Sequence, residues 1–178
     1  LNVLAESRGE WGFMWECPDF YQLGDKYVLT FSPMGSGDHT SVYLTGDFDY
    51  KTGKFDWHIS GEMDWGFDFY APQTLEAPDG RRILFGWAGV SDSPYDNEPS
   101  IREGWQHSMT VPRELSWKGS MLCQKPVREL EALRKDEIVF EQGEAEIHGG
   151  AFDLVAERDI AGEIPVRICF NQELQITY

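Results

Sequence analysis

From residue 20 to residue 130 the chain is a succession of short apolar or alternating runs, each closed by a glycine-bearing turn signal, and that pattern points to antiparallel β-structure. The run 27–31 alternates, with Tyr27, Leu29 and Phe31 on one face. Residues 42–45, 55–59, 82–87, 108–111 and 121–124 read the same way. Gly24-Asp25 predicts a two-residue hairpin loop, and Gly53, Asp79-Gly80 and Lys118-Gly119 mark further turns. An all-β chain so divided is a propeller or a sandwich. The turn glycines fall at uneven intervals, so no exact sequence repeat selects the propeller.

The period changes at Pro126. Val127, Leu130 and Leu133 lie three apart, with proline at the start and Arg134-Lys135 near the end, which predicts a short helical linker. Strand-like runs resume at 138–140, 145–147, 152–155, 166–170 and 174–178. A domain boundary is therefore expected near residue 136. Residues 91–104 form a polar, proline-bearing loop that reads as a plain surface excursion or as one long enough to reach over a site.

Composition removes several classes of function. Fifteen Lys and Arg against 31 Asp and Glu give a formal charge of -16, which argues against nucleic acid and anionic membrane as partners. No run of 18 apolar residues is present to span a membrane. Cys17, Cys123 and Cys169 are widely spaced and without nearby His ligands. They read as reduced thiols of a cytoplasmic protein, in keeping with the absence of an Asn-x-Ser/Thr sequon. The four His are dispersed, and neither a metal site nor a cofactor is expected. Seven Trp, seven Tyr and eleven Phe suit packed strands and would equally suit the faces of sugars.

One carboxyl stands out in that setting. Glu16 lies in Trp15-Glu16-Cys17-Pro18-Asp19, where its sequence neighbours offer little polar company. Burial there favours the neutral form and raises the pKa towards that of a general acid, although a strand-end Glu paired with an Arg is the plain alternative. Downstream come Trp65-Gly66-Phe67-Asp68-Phe69-Tyr70-Ala71-Pro72-Gln73-Thr74, Ile83-Leu84-Phe85-Gly86-Trp87-Ala88-Gly89, Met109-Thr110-Val111-Pro112-Arg113-Glu114-Leu115-Ser116 and Gln124-Lys125-Pro126-Val127-Arg128-Glu129-Leu130. In this order the five motifs closely resemble glycoside hydrolase family 32, which holds invertases, sucrose-6-phosphate hydrolases and other β-fructofuranosidases.

The resemblance covers nearly the whole chain. It implies that residues 1–135 are the later blades of a five-bladed catalytic β-propeller and that residues 136–178 open a C-terminal β-sandwich. It implies a retaining glycosidase acting on the β-fructofuranosidic bonds of sucrose, sucrose 6-phosphate or fructans, with Glu16 as acid/base. Cys17 would tune the site or be a small buried hydrophobe, and Asp19 would fix a turn. Asp68 or Tyr70 would hydrogen-bond Glu16, a turn cap or ion-pair partner being the other reading of Asp68; Trp87 would lie against the fructosyl unit or be a core strand residue, and Gln73 would be structural. Arg113 and Glu114 read as an intramolecular ion pair. The family's nucleophile lies in an Asn-Asp-Pro-Asn type motif and its transition-state stabiliser in Arg-Asp-Pro, and neither motif occurs in these 178 residues. The chain begins Leu1-Asn2-Val3 without an initiator Met and ends Leu174-Gln175-Ile176-Thr177-Tyr178 within a strand-like alternation, so both ends are expected to be cut, the rest of the propeller being the partner of this piece. A catalytically silent sugar-binding propeller and a five-bladed glycosidase with another substrate remain the alternatives.

Overall fold

In a computed structural model the described residues are 3–37, 39–66, 68–89, 98–139, 151–155, 167–170 and 174–177. They divide into two compact units, residues 1–133 and 134–178. The first contains two four-stranded antiparallel sheets, each built in sequence order. Sheet one comprises β1 (Met14–Leu23), β2 (Lys26–Met34), β3 (Val42–Asp49) and β4 (Lys54–Glu62). Sheet two comprises β5 (Tyr70–Glu76), β6 (Arg82–Trp87), β7 (Arg113–Lys118) and β8 (Met121–Pro126). Two short helical pieces accompany them, α1 (Glu98–Arg102) and a 3-10 turn at Arg128–Leu133, where the linker was expected.

Strand alternation produces two apolar layers. On one face of sheet one, Leu29, Phe31, Val42, Leu44 and Phe55 cluster with Tyr27, and Leu4, Ala5 and Trp11 pack against them from the preceding segment. The alternate residues Tyr21, Val28 and Tyr43 meet Phe69, Leu84 and Leu115 across the gap between the sheets. Burying both sets drives the pairing, at about 25 cal/mol per Å² of apolar surface removed from water. Gly86 matters to that layer, because a Cβ there would sit 2.4 Å from the Phe69 ring.

The first strands of the two sheets share a device. In β1 the register runs from Glu16 opposite Ser32 to Asp19 opposite Thr30, so that Cys17 and Pro18 share one partner position. In β5 it runs from Tyr70 opposite Trp87 to Gln73 opposite Phe85, with Ala71 and Pro72 in the same place. Both are β-bulges. Their first residues, Cys17 at φ 48° and Ala71 at φ 51°, are left-handed, and each is followed by a proline that has no N–H to lose from the ladder.

Several expectations are corrected. β1, β5 and β7 were not among the predicted strands, because a bulge and an internal Pro interrupt the alternation in the first two. Residues 108–111 are not a strand. They make an isolated bridge between Met109 and Trp87, and β7 begins only after Pro112. Residues 98–102 of the expected loop form α1, and its residues 91–97 lie outside the described residues. In the second unit β9 (Arg167–Phe170) pairs antiparallel with β10 (Leu174–Thr177). Residues 138–139 and 152–155 are not strands, and the run 145–147 lies outside the described residues. Arg134 holds Asp153 there through two hydrogen bonds of 2.9 and 2.6 Å.

Candidate active site

The twin bulges bring the predicted residues together across 54 positions of sequence. The Tyr70 hydroxyl donates to Glu16 Oε2 at 2.5 Å and also lies 3.6 Å from Met34 Sδ. Burial, and next the bond to Glu16, push the phenol well above its ordinary value of 10.0, so it stays protonated and acts as the donor. The company expected for Glu16 is corrected here. Trp15 projects to the opposite face, where it stacks on Phe31 at a 4.0 Å centroid distance, and Cys17 and Pro18 are exposed. Glu16 is half-buried, and its defining neighbour is a phenol from the next sheet rather than a residue adjacent in sequence.

The remaining predicted residues frame that contact. Exposed Cys17 is not the buried small hydrophobe that was one of its readings. Its carbonyl accepts the Gln73 side-chain amide at 2.9 Å. Asp19 accepts the Thr74 N–H and the Thr74 hydroxyl, both at 2.7 Å. It therefore ties β1 to β5 instead of fixing a turn. Trp87 stands edge-on to Tyr70 at 6.2 Å and to His107 at 5.1 Å. A buried indole Nε1 on Trp87 and a buried Oδ1 on Asp68 have no hydrogen-bond partner.

Arg113 and Glu114 are not partners of each other, since adjacent strand residues face opposite sides of a sheet. Arg113 donates to Asp64 at 2.5 Å and to Gln124 at 3.0 Å, with its guanidinium 4.8 Å above the Phe69 ring. Asp64 also accepts the Gly66 N–H, while Gln124 donates to the Met63 carbonyl. This network fastens the β4–β5 connection, and so the approach to Asp68 and Tyr70, onto sheet two. Glu114 faces Arg81 instead, at 3.5 Å.

Sequence reasoning missed Thr74, Met34, His107 and the buried pair Ser32 and Ser41. A signal was present in the parallel between Glu16-Cys17-Pro18-Asp19 and Tyr70-Ala71-Pro72-Gln73, a small residue and a proline between two polar ones. A cleft of about 270 Å³ lies elsewhere, lined by Asp25, Gly119 and Ser120 of the hairpin loops and by Lys26, His58 and Trp117. Among the described residues no group of three or more His, Cys, Asp or Glu could hold a metal ion, and no helix is long and apolar enough to cross a membrane.

Known proteins resemble this chain in sequence and in fold. The model of the glycosyl hydrolases family 32 N-terminal domain matches residues 2–126. A sucrose-6-phosphate hydrolase of Klebsiella pneumoniae is 45% identical over 142 residues, covering 75% of this chain and 30% of that protein. One from Bacillus subtilis is 39% identical over 163 residues, covering 87% and 33%. Among solved structures a family 32 β-fructofuranosidase of Bombyx mori matches with a TM-score of 0.68 at 37% identity, over 76% of this chain and 30% of that one. A variant of that enzyme solved in complex with sucrose matches equally, with a TM-score of 0.68 at 36% identity. The chain thus spans about a third of the length of the curated relatives it matches. By the match over residues 2–126 and by these relatives, the chain belongs to glycosyl hydrolase family 32.

Proposed function

We propose that this chain supplies the acid/base half of a retaining β-fructofuranosidase that cleaves sucrose, sucrose 6-phosphate or a fructan. The observation that carries the proposal is the hydrogen bond from the Tyr70 hydroxyl to Glu16 Oε2, made between two bulged strands of different sheets. A proton donor has to be held in one rotamer beside the departing oxygen. A protonated phenol bonded to one carboxyl oxygen does this while leaving the other oxygen to face a substrate.

In a retaining mechanism one carboxylate attacks the anomeric carbon while a second carboxylic acid, roughly 5–5.5 Å away, protonates the leaving group. Glu16 is the second of these. It gives its proton to the glycosidic oxygen as the fructosyl bond breaks, then takes one from the water that releases fructose. The attacking carboxylate is assigned to sequence outside these 178 residues. Trp87, edge-on to Tyr70 at 6.2 Å, and Asp68, two residues before Tyr70, are assigned to the substrate-binding side of the site. Cys17 lines the same strand beside Glu16 and can tune its surroundings.

We assign the two sheets to consecutive blades of a five-bladed propeller, residues 1–135, and the remainder to the start of a C-terminal β-sandwich. The likeness to family 32 structures supports the first assignment, and the β9–β10 pair is compatible with the second. Sucrose 6-phosphate is favoured by the names of the relatives, and a reducing compartment by three free cysteines. Glu16→Gln in the full-length enzyme tests the proposal. Turnover should fall by about 10²–10⁴-fold with KM nearly unchanged, and near-normal turnover would remove Glu16 from the acid/base role.

A further inference from the structure

We infer that Ser32 and Ser41 form a positioning relay that fixes Tyr70, and through it the acid/base. This rests on the assignment of Glu16 and Tyr70 made above. Both serines are fully buried, at 0% exposure, and neither lies on the strand that carries Glu16 or the strand that carries Tyr70. Ser32 is on β2, directly opposite Glu16 in the ladder. Ser41 immediately precedes β3.

The bulge in β5 turns the Ala71 N–H away from β6, and it donates to Ser32 Oγ at 3.0 Å. Ser32 Oγ lies 3.0 Å from Ser41 Oγ. Ser41 Oγ is in turn 2.7 Å from the Thr40 carbonyl and 3.3 Å from the Phe69 carbonyl. Counting protons sets the direction of the chain. Each hydroxyl has one proton to give. The two carbonyls can only accept, so the Ser41 proton is shared between them, and Ser41 Oγ accepts the proton of Ser32. Ser32 Oγ then accepts from Ala71 with its own proton committed. The chain runs from Ala71 N–H through Ser32 and Ser41 to the carbonyls of Thr40 and Phe69, and every donor on it is used.

Its ends at Ala71 and Phe69 belong to the peptide groups on either side of Tyr70. The relay therefore clamps the backbone from which the phenol projects, against the very rung of the ladder that carries Glu16. A buried pair of small hydroxyls suits this task, because a bulged strand has a free N–H that no neighbouring strand can take. Removing the Ser32 hydroxyl leaves that half-buried N–H unpaired, and the strand must shift to find another partner. The shift falls on Tyr70.

A double-mutant cycle in the full-length enzyme tests this. Ser32→Ala should lower kcat on sucrose several-fold with KM within about twofold, Tyr70→Phe should lower it roughly tenfold, and the double variant should be no slower than Tyr70→Phe alone. If the penalties of the two single variants multiply in the double, the serine does not act through Tyr70 and the inference fails, while the assignment of Tyr70 stands. If Tyr70→Phe turns over at the wild-type rate, the assignment of Tyr70 as the partner of Glu16 fails first and takes the relay with it. Should Ser32→Ala yield no folded enzyme, Ser41→Ala enters the same cycle. It leaves Ser32 to accept from Ala71 but removes the bond to Phe69, and the same two outcomes support or overturn the relay.

Discussion

Sheet one and sheet two open with the same backbone and present different chemistry on it. In each, the first strand bulges at a left-handed small residue followed by proline, Cys17-Pro18 in one and Ala71-Pro72 in the other. The first bulge follows a carboxylic acid and the second follows a phenol, and the two meet at Glu16 and Tyr70. The flanks are also tied crosswise, Asp19 to Thr74 and Gln73 to Cys17. A repeated kink thus brings two unlike side chains into contact where straight strands would carry them along their own sheets. The sheets also differ in their cores. Sheet one has an apolar cluster on each face, whereas sheet two shares in the inter-sheet cluster and shows Leu75 half-exposed.

The joint between the sheets rests on Arg113. Replacing Arg113 by Met removes the partner of Asp64 and frees the β4–β5 connection. A fully buried pair broken in this way costs about 3–5 kcal/mol, and since both side chains here keep some solvent contact the expected loss is about 2–3 kcal/mol, read from chemical denaturation. Arg113→Lys should recover little of it, because a single ammonium cannot replace a fork that reaches both Asp64 and Gln124. Stability unchanged in both variants would show that the joint does not depend on this network.

A smaller effect is expected inside the layer between the sheets. Gly86→Ala sets a methyl 2.4 Å from the Phe69 ring, and Phe69 is next to Tyr70. Overpacking of this kind costs about 1–3 kcal/mol, and displacement of Phe69 should reduce turnover as well as thermal stability. A variant that melts and turns over like the wild type would mean that the ring has room to move.

The smallest effect separates the two buried tyrosines by pH. Tyr21 and Tyr70 are both held above the ordinary value of 10.0 by burial first, with Asp19 adding to Tyr21 and Glu16 to Tyr70. Their folded forms keep a proton that the unfolded chain releases near pH 10, so their contribution to stability is whole below that pH and is lost as pH rises above it. Tyr21→Phe should therefore flatten the fall in stability above about pH 10 and leave the slope near neutrality unchanged. An unaltered alkaline slope would show that this phenol is not protected by the inter-sheet layer.

What was legible in the sequence follows from these same features. The alternation of Tyr27, Leu29 and Phe31 gave β2 its face, and Gly24-Asp25 gave the two-residue loop between β1 and β2, since both are local signals. β1 and β5 were hidden because Pro18 and Pro72 break the period of two where the bulges lie. Glu16 could be singled out by its motif, and Tyr70 by resemblance. The partnership of Asp64 with Arg113, and of Ser32 with Ala71, could not be read, because each joins residues 39 to 49 positions apart through a packing of sheets that no local pattern encodes. Serines within apolar runs carry no signal until the N–H they satisfy is known.

If the first bulge supplies the proton that lets a glycosidic oxygen leave, the cost of losing Glu16 depends on how much the leaving group needs that proton. Turnover by Glu16→Gln in the full-length enzyme should be measured on sucrose and on an aryl β-fructofuranoside whose phenol is acidic enough to depart unaided. A loss of about 10²–10⁴-fold is expected on sucrose and a far smaller loss on the aryl substrate. Equal losses on the two substrates would contradict it and would place Glu16 in binding or structure instead.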